Sequence, residues 1–192
     1  MKSLMKPLGL ALALALTAPL ASTAQAASPQ VASQVETLLR APEDVTTAAD
    51  WTRIGPEAAE VLRDAVANPK RLAIQRSRAA MALSFFKGAE NQAALTAVAA
   101  DAKSPWLVRG AAARSLTTSY QAAALDAVAP LLQDKNKRLR EAAVKAVALV
   151  PTAQSKSLLE ARLGAETNDH VKAEIGRAIK QIEARLAKKE GK

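Results

Sequence analysis

The sequence has no cysteine and a single histidine among its 192 residues. The lack of cysteine excludes disulfides, thiol catalysis, iron–sulfur clusters and cysteine-ligated zinc within this chain. Aromatic residues amount to 3%, and β-branched residues are also scarce, which disfavours a β-sandwich or a β-barrel. The chain is instead rich in alanine and leucine, two strong helix formers. These proportions predict an all-α fold.

Residues 1–26 have the pattern of a secretory signal peptide. Lys2 and Lys6 precede the apolar run LGLALALAL, and Ala24-Gln25-Ala26 supplies the small-x-small pattern that signal peptidase recognises. The run is about half as long as the ~20 residues that a bilayer requires, so a retained membrane anchor is the weaker alternative. We expect cleavage after Ala26, no transmembrane segment after processing, and a periplasmic or secreted mature protein.

A repeat with a period of about 32 residues runs through positions 56–183. A basic residue followed by small and apolar residues recurs at Arg76, Arg109, Arg140 and Lys172, in steps of 33, 31 and 32. The apolar positions fall on one face of a helix. A second helical pattern precedes each of these stretches, and turn-forming residues separate the two. The unit is therefore a helix–turn–helix pair that occurs about four times.

Less regular segments flank the repeats. Residues 27–55 contain an amphipathic helix at Val31–Arg40 and a short helical stretch at Asp50–Ile54. We expect them to be N-terminal capping helices, because a terminal repeat turns one face to water. Residues 184–192 (ARLAKKEGK) are expected to form a charged C-terminal tail.

The stretch Val108-Arg109-Gly110-Ala111-Ala112-Ala113-Arg114-Ser115-Leu116, which follows Asp101, resembles HEAT repeats, in particular the short bacterial type also found in phycobilin lyases. The hallmark of that type is an aspartate at the turn, then Val-Arg, Ala-Ala and a leucine. The resemblance covers roughly residues 56–182. It implies a right-handed α-solenoid in which the second helix of each pair lines the concave side.

The same resemblance implies a structural role for one set of basic residues. HEAT repeats commonly stack an arginine ladder against aspartates at the turns. The expected ladder consists of Arg76, Arg109, Arg140, Lys172, Asp101 and Asp134. Bidentate pairing with a carboxylate suits arginine better than lysine.

Charge is divided unequally between the two helices of the repeats. The second-helix stretches are 70–87, 105–116, 135–149 and 170–189, and the first-helix stretches are 56–68, 89–103, 119–134 and 152–169. The second-helix stretches hold 18 basic and three acidic residues, whereas the first-helix stretches hold four basic and ten acidic residues. If the second helices line the concave side, that side is strongly basic and attracts anionic groups.

We therefore predict that an acidic protein partner binds to the basic face. The candidate contact residues lie outside the ladder and are Arg71, Arg78, Arg114, Arg138, Lys145 and Arg177. The alternative is that these side chains only keep the surface hydrated.

No group of residues in the sequence points to catalysis. The glycine-rich phosphate loop, the Gly-x-Ser-x-Gly elbow and the His-Glu-x-x-His zinc motif are all missing. His170 opens a helix next to Asp169 and is expected to be exposed or capping. We predict no catalytic residue, no cofactor and no metal site, and a protein that is not an enzyme.

Three functional classes remain open at the level of sequence. The first is an interaction scaffold for an acidic protein, and the second is a binder of anionic surfaces, with peripheral contact to acidic lipid headgroups or polysaccharide. The third, by analogy of fold alone, is a lyase or chaperone-like protein. Nucleic acid is disfavoured as a partner because export removes the usual supply and aromatic side chains for base stacking are few.

Overall fold

The computed structural model describes residues 27–41 and 46–190. The expected signal peptide and the last two residues of the expected tail lie outside the described residues. The described part of the chain is helical throughout its regular elements and contains no β-strand. In chain order the helices are α1 (Pro29–Arg40), α2 (Ala48–Ile54), α3 (Ala58–Ala67), α4 (Ala73–Ala82), α5 (Ala89–Ala100), α6 (Trp106–Tyr120), α7 (Leu125–Val128), α8 (Lys137–Ala148), α9 (Ala153–Ala165) and α10 (Asp169–Glu190).

The helices form two layers of antiparallel partners. Helices α4, α6, α8 and α10 pack side by side, and each also packs against the helical segment that precedes it in the chain. The predicted all-α solenoid of HEAT-like helix pairs is confirmed. The layer formed by α4, α6, α8 and α10 is called the second-helix layer below.

The first helix of the third pair is broken. Helix α7 spans only four residues and continues as the 3-10 turn Ala129–Gln133. Pro130 lies in this segment, and proline has no backbone N–H to donate to the preceding turn. The segment still takes the place of a first helix, because it packs against α8 and brings Leu131 and Leu132 into the core.

The N-terminal helices cover the end of the stack. Helix α1 packs against α2, α3 and α4, and its residues Val35 and Leu39 are fully buried. Trp51 of α2 is 4% exposed. Helix α2 begins with a reciprocal cap, in which the Thr47 backbone N–H donates to the Asp50 carboxylate at 2.8 Å.

The core follows the repeat of the sequence. The 33-residue series Leu62, Leu95 and Val128 has no exposed surface. On the second helices, Leu83, Leu116 and Val147 are likewise fully buried. At the corresponding position of α10, Ile179 is only partly buried, whereas Ile175 and Ile182 of the same helix are fully buried. Helix α10 is the last helix of the described stack, so only one of its sides packs against a neighbouring pair.

Two adjacent second helices approach closely at a glycine. A Cβ atom placed on Gly110 of α6 would lie 2.9 Å from the Cβ of Ala142 on α8. Real Cβ atoms do not come this close, so the distance between the two helices depends on the missing side chain.

The segment expected to be a charged tail is helical as far as Glu190, the last described residue. Leu186 packs against the core, and Arg185 donates from Nη1 to the carbonyl oxygen of Ala148 at 3.4 Å. Within residues 27–41 and 46–190, no helix combines the length and the apolar character needed to cross a membrane.

Candidate functional site

Two arginines of the second-helix layer connect neighbouring helix pairs at the turns. Arg109 donates from Nε to the carbonyl oxygen of Ala99 at 2.9 Å and from Nη1 to Asp134 Oδ2 at 2.8 Å. Arg76 makes the equivalent backbone contact, from Nε to the carbonyl oxygen of Val66 at 2.8 Å. Each guanidinium therefore binds the end of its own first helix, and Arg109 also binds the turn of the next pair.

Arg76 contacts the next turn through a serine. Its Nη2 donates to Ser104 Oγ at 2.8 Å, and Ser104 Oγ donates to Asp101 Oδ2 at 2.8 Å. The Ser104 hydroxyl, together with the Lys103 backbone N–H, holds the pKa of Asp101 below its usual value.

The third connection is made through Glu166, whose carboxylate is the most buried one of the ladder. Arg140 donates from Nε and Nη2 to the two oxygens of Glu166, both at 2.8 Å. Arg162 adds a bond from Nη2 to Glu166 Oε2 at 2.7 Å. The Glu166 side chain has no exposed surface. Burial raises its pKa, but the bonds from Arg140, Arg162 and the Asn168 backbone outweigh that and place the pKa far below 4.5.

A continuous groove runs across the second-helix layer, between its exposed side chains. Cavities of about 390, 210 and 310 Å³ adjoin along it. Arg114 of α6 lines all three, and Lys145 of α8 lines two of them. The groove is defined here by Ile74, Met81, Phe85, Trp106, Arg114, Arg138, Lys145 and Arg177.

A comparison with known protein families concerns the helix pairs to which these second helices belong. A sequence model of HEAT repeats matches residues 100–180, from the end of α5 into α10. This part of the chain contains HEAT repeats. No curated protein matches the sequence. HEAT repeats generally mediate protein–protein interaction. The match concerns the repeat architecture alone. The analogy to lyases and the export of the protein stay predictions.

The HEAT-repeat ladder contains three of the four expected basic residues. Arg76, Arg109 and Arg140 occupy it as described above. Lys172 does not: its side chain is exposed, and no carboxylate of the described residues lies within 4.0 Å of it. Its place at the last turn is taken by Arg162, which approaches Glu166 from α9.

Glu166 and Ser104 are ladder members that sequence reasoning missed. A signal for Glu166 exists, because the residues that end the first helices are Asn68, Asp101, Asp134 and Glu166, in steps of 33, 33 and 32. Asp169 is the other acidic residue at this turn. Asp169 begins α10, and the N–H groups of a helix start suit it there.

Arg71 and Arg78 lie at the junction with the N-terminal helices. Both guanidinium ends of Arg71 bind the Glu36 carboxylate of α1, one of them at 3.0 Å. Arg78 donates from Nη1 to the carbonyl oxygens of Leu39, at 3.1 Å, and Ala41, at 2.6 Å, at the end of α1. The structure thus gives both candidate contact residues a role in holding α1.

The other four candidates lie in the groove, in different local settings. Lys145 Nζ is 2.6 Å from Glu141 Oε1, and Arg177 pairs with Glu174 on the same helix. Arg138 lies over the Trp106 ring, 5.5 Å from its centre. Arg114 is exposed, and within the described ranges no carboxylate is in ion-pair distance of it.

The groove also has an apolar part that charge counting did not reveal. Ile74, Met81 and Phe85 are 36%, 41% and 44% exposed. They are seven and four residues apart, so they lie along one side of α4 and of the turn that follows it. This spacing was available in the sequence. Trp106 is partly buried and lines the cavity of about 210 Å³, so it both packs between repeats and contributes to the groove wall.

The single histidine is exposed near the groove. The His170 side chain is 67% exposed, and its Nε2 lies 3.5 Å from Glu141 Oε2. Over the described part of the chain, no three residues of the His, Cys, Asp and Glu types converge as metal ligands would.

Proposed function

We propose that this HEAT-repeat protein is a non-enzymatic interaction scaffold, exported to the periplasm or secreted, that binds an acidic protein segment in the groove. One observation carries the proposal. Four basic side chains outside the ladder follow one another across three adjacent helices: Arg114, Arg138, Lys145 and Arg177. Arg114 is exposed among them with no carboxylate in contact in the described residues, so its charge is available to a partner.

The acids in the groove offset only part of its positive charge, because four basic side chains face two acidic ones. Glu141 and Glu174 are 25% and 18% exposed in their side chains, and each is paired with a base on its own helix. A recessed surface with excess charge of one sign concentrates field lines and speeds the arrival of oppositely charged partners.

The ladder arginines support the same interpretation by contrast. Arg76 and Arg109 are 5% and 9% exposed and are hydrogen-bonded to carbonyl, hydroxyl and carboxylate oxygens. A partner cannot use their charge. The basic excess of the second helices is therefore presented by the groove side chains and by the exposed lysines at the turns and on α10.

The partner experiment compares two triple variants with the unmodified protein. Arg114→Glu, Arg138→Glu and Arg177→Glu are combined as the groove variant. Lys70→Glu, Lys87→Glu and Lys188→Glu, three exposed lysines that line no part of the groove, give a control with the same change in charge. Each protein is cross-linked in the periplasmic fraction of the source cells, and captured proteins are identified by mass spectrometry.

We expect an acidic protein to be captured by the unmodified protein and the control variant, and lost with the groove variant. Circular dichroism of all three proteins checks that the helical fold is retained. Unchanged capture by the groove variant at low salt would show that the groove charges only keep the surface hydrated and do not bind the partner.

Binding to anionic surfaces is the second candidate function. It is favoured by exposed lysines outside the groove, among them Lys180, Lys188 and Lys189 of α10. Vesicles containing an acidic lipid distinguish it from groove binding. A diffuse surface interaction is weakened equally by the two triple variants and by salt, whereas groove binding responds to the groove variant alone.

The location is tested separately. The pattern of residues 1–26 supports export, and the mature protein is expected to begin at Ala27. N-terminal sequencing of the protein recovered from the periplasm or the medium measures this, and an intact Met1 in that fraction would contradict it.

A further inference from the structure

The groove changes character along its length. At the α4 side, a cavity of about 210 Å³ is lined by large apolar side chains, including Ile74, Met81, Trp106 and Leu107. Ile74 and Met81 keep 36% and 41% of their surface exposed there. Covering such surface with an apolar group is favourable because it removes apolar area from water.

The cationic part begins within the same cavity. Arg114 and Lys145 line the wall of the apolar cavity and also line the next one, of about 310 Å³, together with Arg177. An apolar side chain placed in the first cavity would therefore lie directly beside two positive groups. The residues that flank this side chain in the bound segment would then lie nearest to Arg114 and Lys145.

This juxtaposition limits the chemistry of the occupant. A purely acidic segment would leave Ile74 and Met81 exposed to water, and a purely apolar segment would bury Arg114 without a partner, which is costly. A segment that carries an apolar side chain next to carboxylates satisfies both parts. Arg114 then has an acceptor for a bidentate bond, in a place from which the apolar side chain has excluded water.

We propose that the groove binds an extended acidic peptide segment of a partner protein that inserts one large apolar side chain, aromatic or leucine, into the cavity between Ile74, Met81 and Trp106 and places adjacent carboxylates on Arg114 and Lys145. The proposal rests on the scaffold function above and adds the identity of the anchor. Charge attracts the segment, and the apolar anchor fixes its register.

The test uses three labelled synthetic peptides and fluorescence anisotropy at low salt. The first has a central tryptophan flanked on each side by three aspartate or glutamate residues. The second has alanine in place of the tryptophan, and the third keeps the tryptophan but has lysine in place of every acid. We expect the first peptide to bind at least about tenfold more tightly than the second, and the third not to bind.

Matched variants locate the anchor. The double variant Ile74→Gln and Met81→Gln changes exposed side chains of the groove, whereas Leu163→Gln changes a side chain of similar exposure, 37%, on α9. The double variant should reduce the preference for tryptophan over alanine to about twofold or less, and Leu163→Gln should preserve it. The groove variant with three reversed charges should bind neither acidic peptide.

The outcomes separate this inference from the function on which it rests. Equal affinity for the two acidic peptides, with loss of both in the groove variant, overturns the apolar anchor and leaves the acidic-partner function standing. Failure of both acidic peptides to bind, or equal binding of the lysine peptide, overturns the anchor and the acidic-partner function together. A tryptophan preference that survives the double variant places the anchor elsewhere and overturns the assignment of this cavity.

Discussion

Arg109 and Arg114 lie five residues apart on α6 and have opposite environments. Five residues rotate a helix by about 140°, so the two side chains leave it in different directions. Arg109 is 9% exposed and binds Ala99 and Asp134, whereas Arg114 is exposed at the groove. The comparison teaches that basic residues on these helices form two populations, and that only the contacts of each side chain separate them.

The ladder and the groove also differ in what a charge contributes. A buried guanidinium loses its hydration, and this loss is tolerated only when its N–H groups have acceptors in good geometry. Arg140 illustrates this, because Glu166 and the carbonyl oxygens of Asp134 and Lys135 accept its bonds. An exposed cation keeps its hydration and contributes little to folding. We therefore expect the ladder to determine stability and the groove to determine binding.

The largest effect is expected at Glu166. Replacing Glu166 by alanine leaves the largely buried guanidinium groups of Arg140 and Arg162 without their shared carboxylate, which should lower the free energy of unfolding by about 3–5 kcal/mol. Urea denaturation followed by circular dichroism measures it. Glu160→Ala on the same helix is the control, because Glu160 is 51% exposed and should change stability by less than about 0.5 kcal/mol. Similar losses in the two variants would contradict the distinction.

Lowering the pH should reproduce part of the stability loss expected for Glu166→Ala. The folded-state pKa of Glu166 is depressed below its ordinary value of 4.5 because Arg140 and Arg162 bind its ionised form. Its contribution to stability is therefore complete above about pH 4.5 and is lost as the pH falls toward the depressed value. Urea midpoints measured at falling pH should decline below this point, and less steeply in Glu166→Gln. Equal slopes in the two proteins would show that Glu166 is not the group responsible.

Arg109 should be the next most sensitive position. Its removal in Arg109→Ala takes the donor from the carbonyl oxygen of Ala99 and leaves the Asp134 carboxylate with the Asn136 backbone N–H but no guanidinium, and we expect a loss of about 2 kcal/mol. Asp134 is 16% exposed, so water partly compensates there, unlike at Glu166. Arg109→Lys should recover less than half of the loss, because an ammonium group does not reproduce the two diverging bonds. Full recovery of stability by lysine would show that Arg109 acts only through its charge and not through the geometry of its hydrogen bonds.

The fold was predictable because its signals are local and repeat along the chain. Turn-forming residues separate the helices, and apolar positions recur with the period, as in Leu62, Leu95 and Val128, which are all buried. The members of the ladder were only partly predictable. The last turn contains both Glu166 and Asp169. Only the bounds of the helices show that Glu166 ends the first helix, whereas Asp169 begins the second.

The groove was less accessible to sequence reasoning than the fold. The partners of Arg71 and Arg78 lie 35 to 39 residues upstream in and after α1, outside the repeat, so no periodicity indicates them. The apolar part of the groove was missed because the helices were compared by charge alone. Its side chains, Ile74 and Met81, lie on the face that the basic residues share, and only the packed helices show that the two sets meet.

A smaller effect is expected where a ladder contact is indirect. Ser104 is 6% exposed and joins Arg76 to Asp101. Ser104→Ala removes one hydroxyl from this connection, and we expect a loss of about 1 kcal/mol, smaller than that of Arg109→Ala. Urea denaturation measures both variants. A larger loss in Ser104→Ala would place the main connection between these pairs at the serine.

The smallest effect on folding is expected at Arg114, the counterpart of Arg109 on the same helix. Arg114→Ala breaks no ion pair among the described residues, and alanine is a better helix former, so the free energy of unfolding should change by less than about 0.5 kcal/mol. The same variant should weaken binding of the tryptophan-containing acidic peptide by about fivefold or more, since Arg114 lines every part of the proposed site. Arg109→Ala, measured with the same peptide under conditions where it is folded, should bind with unchanged affinity. A stability loss at Arg114 equal to that at Arg109 would mean that the two arginines do not divide between folding and binding.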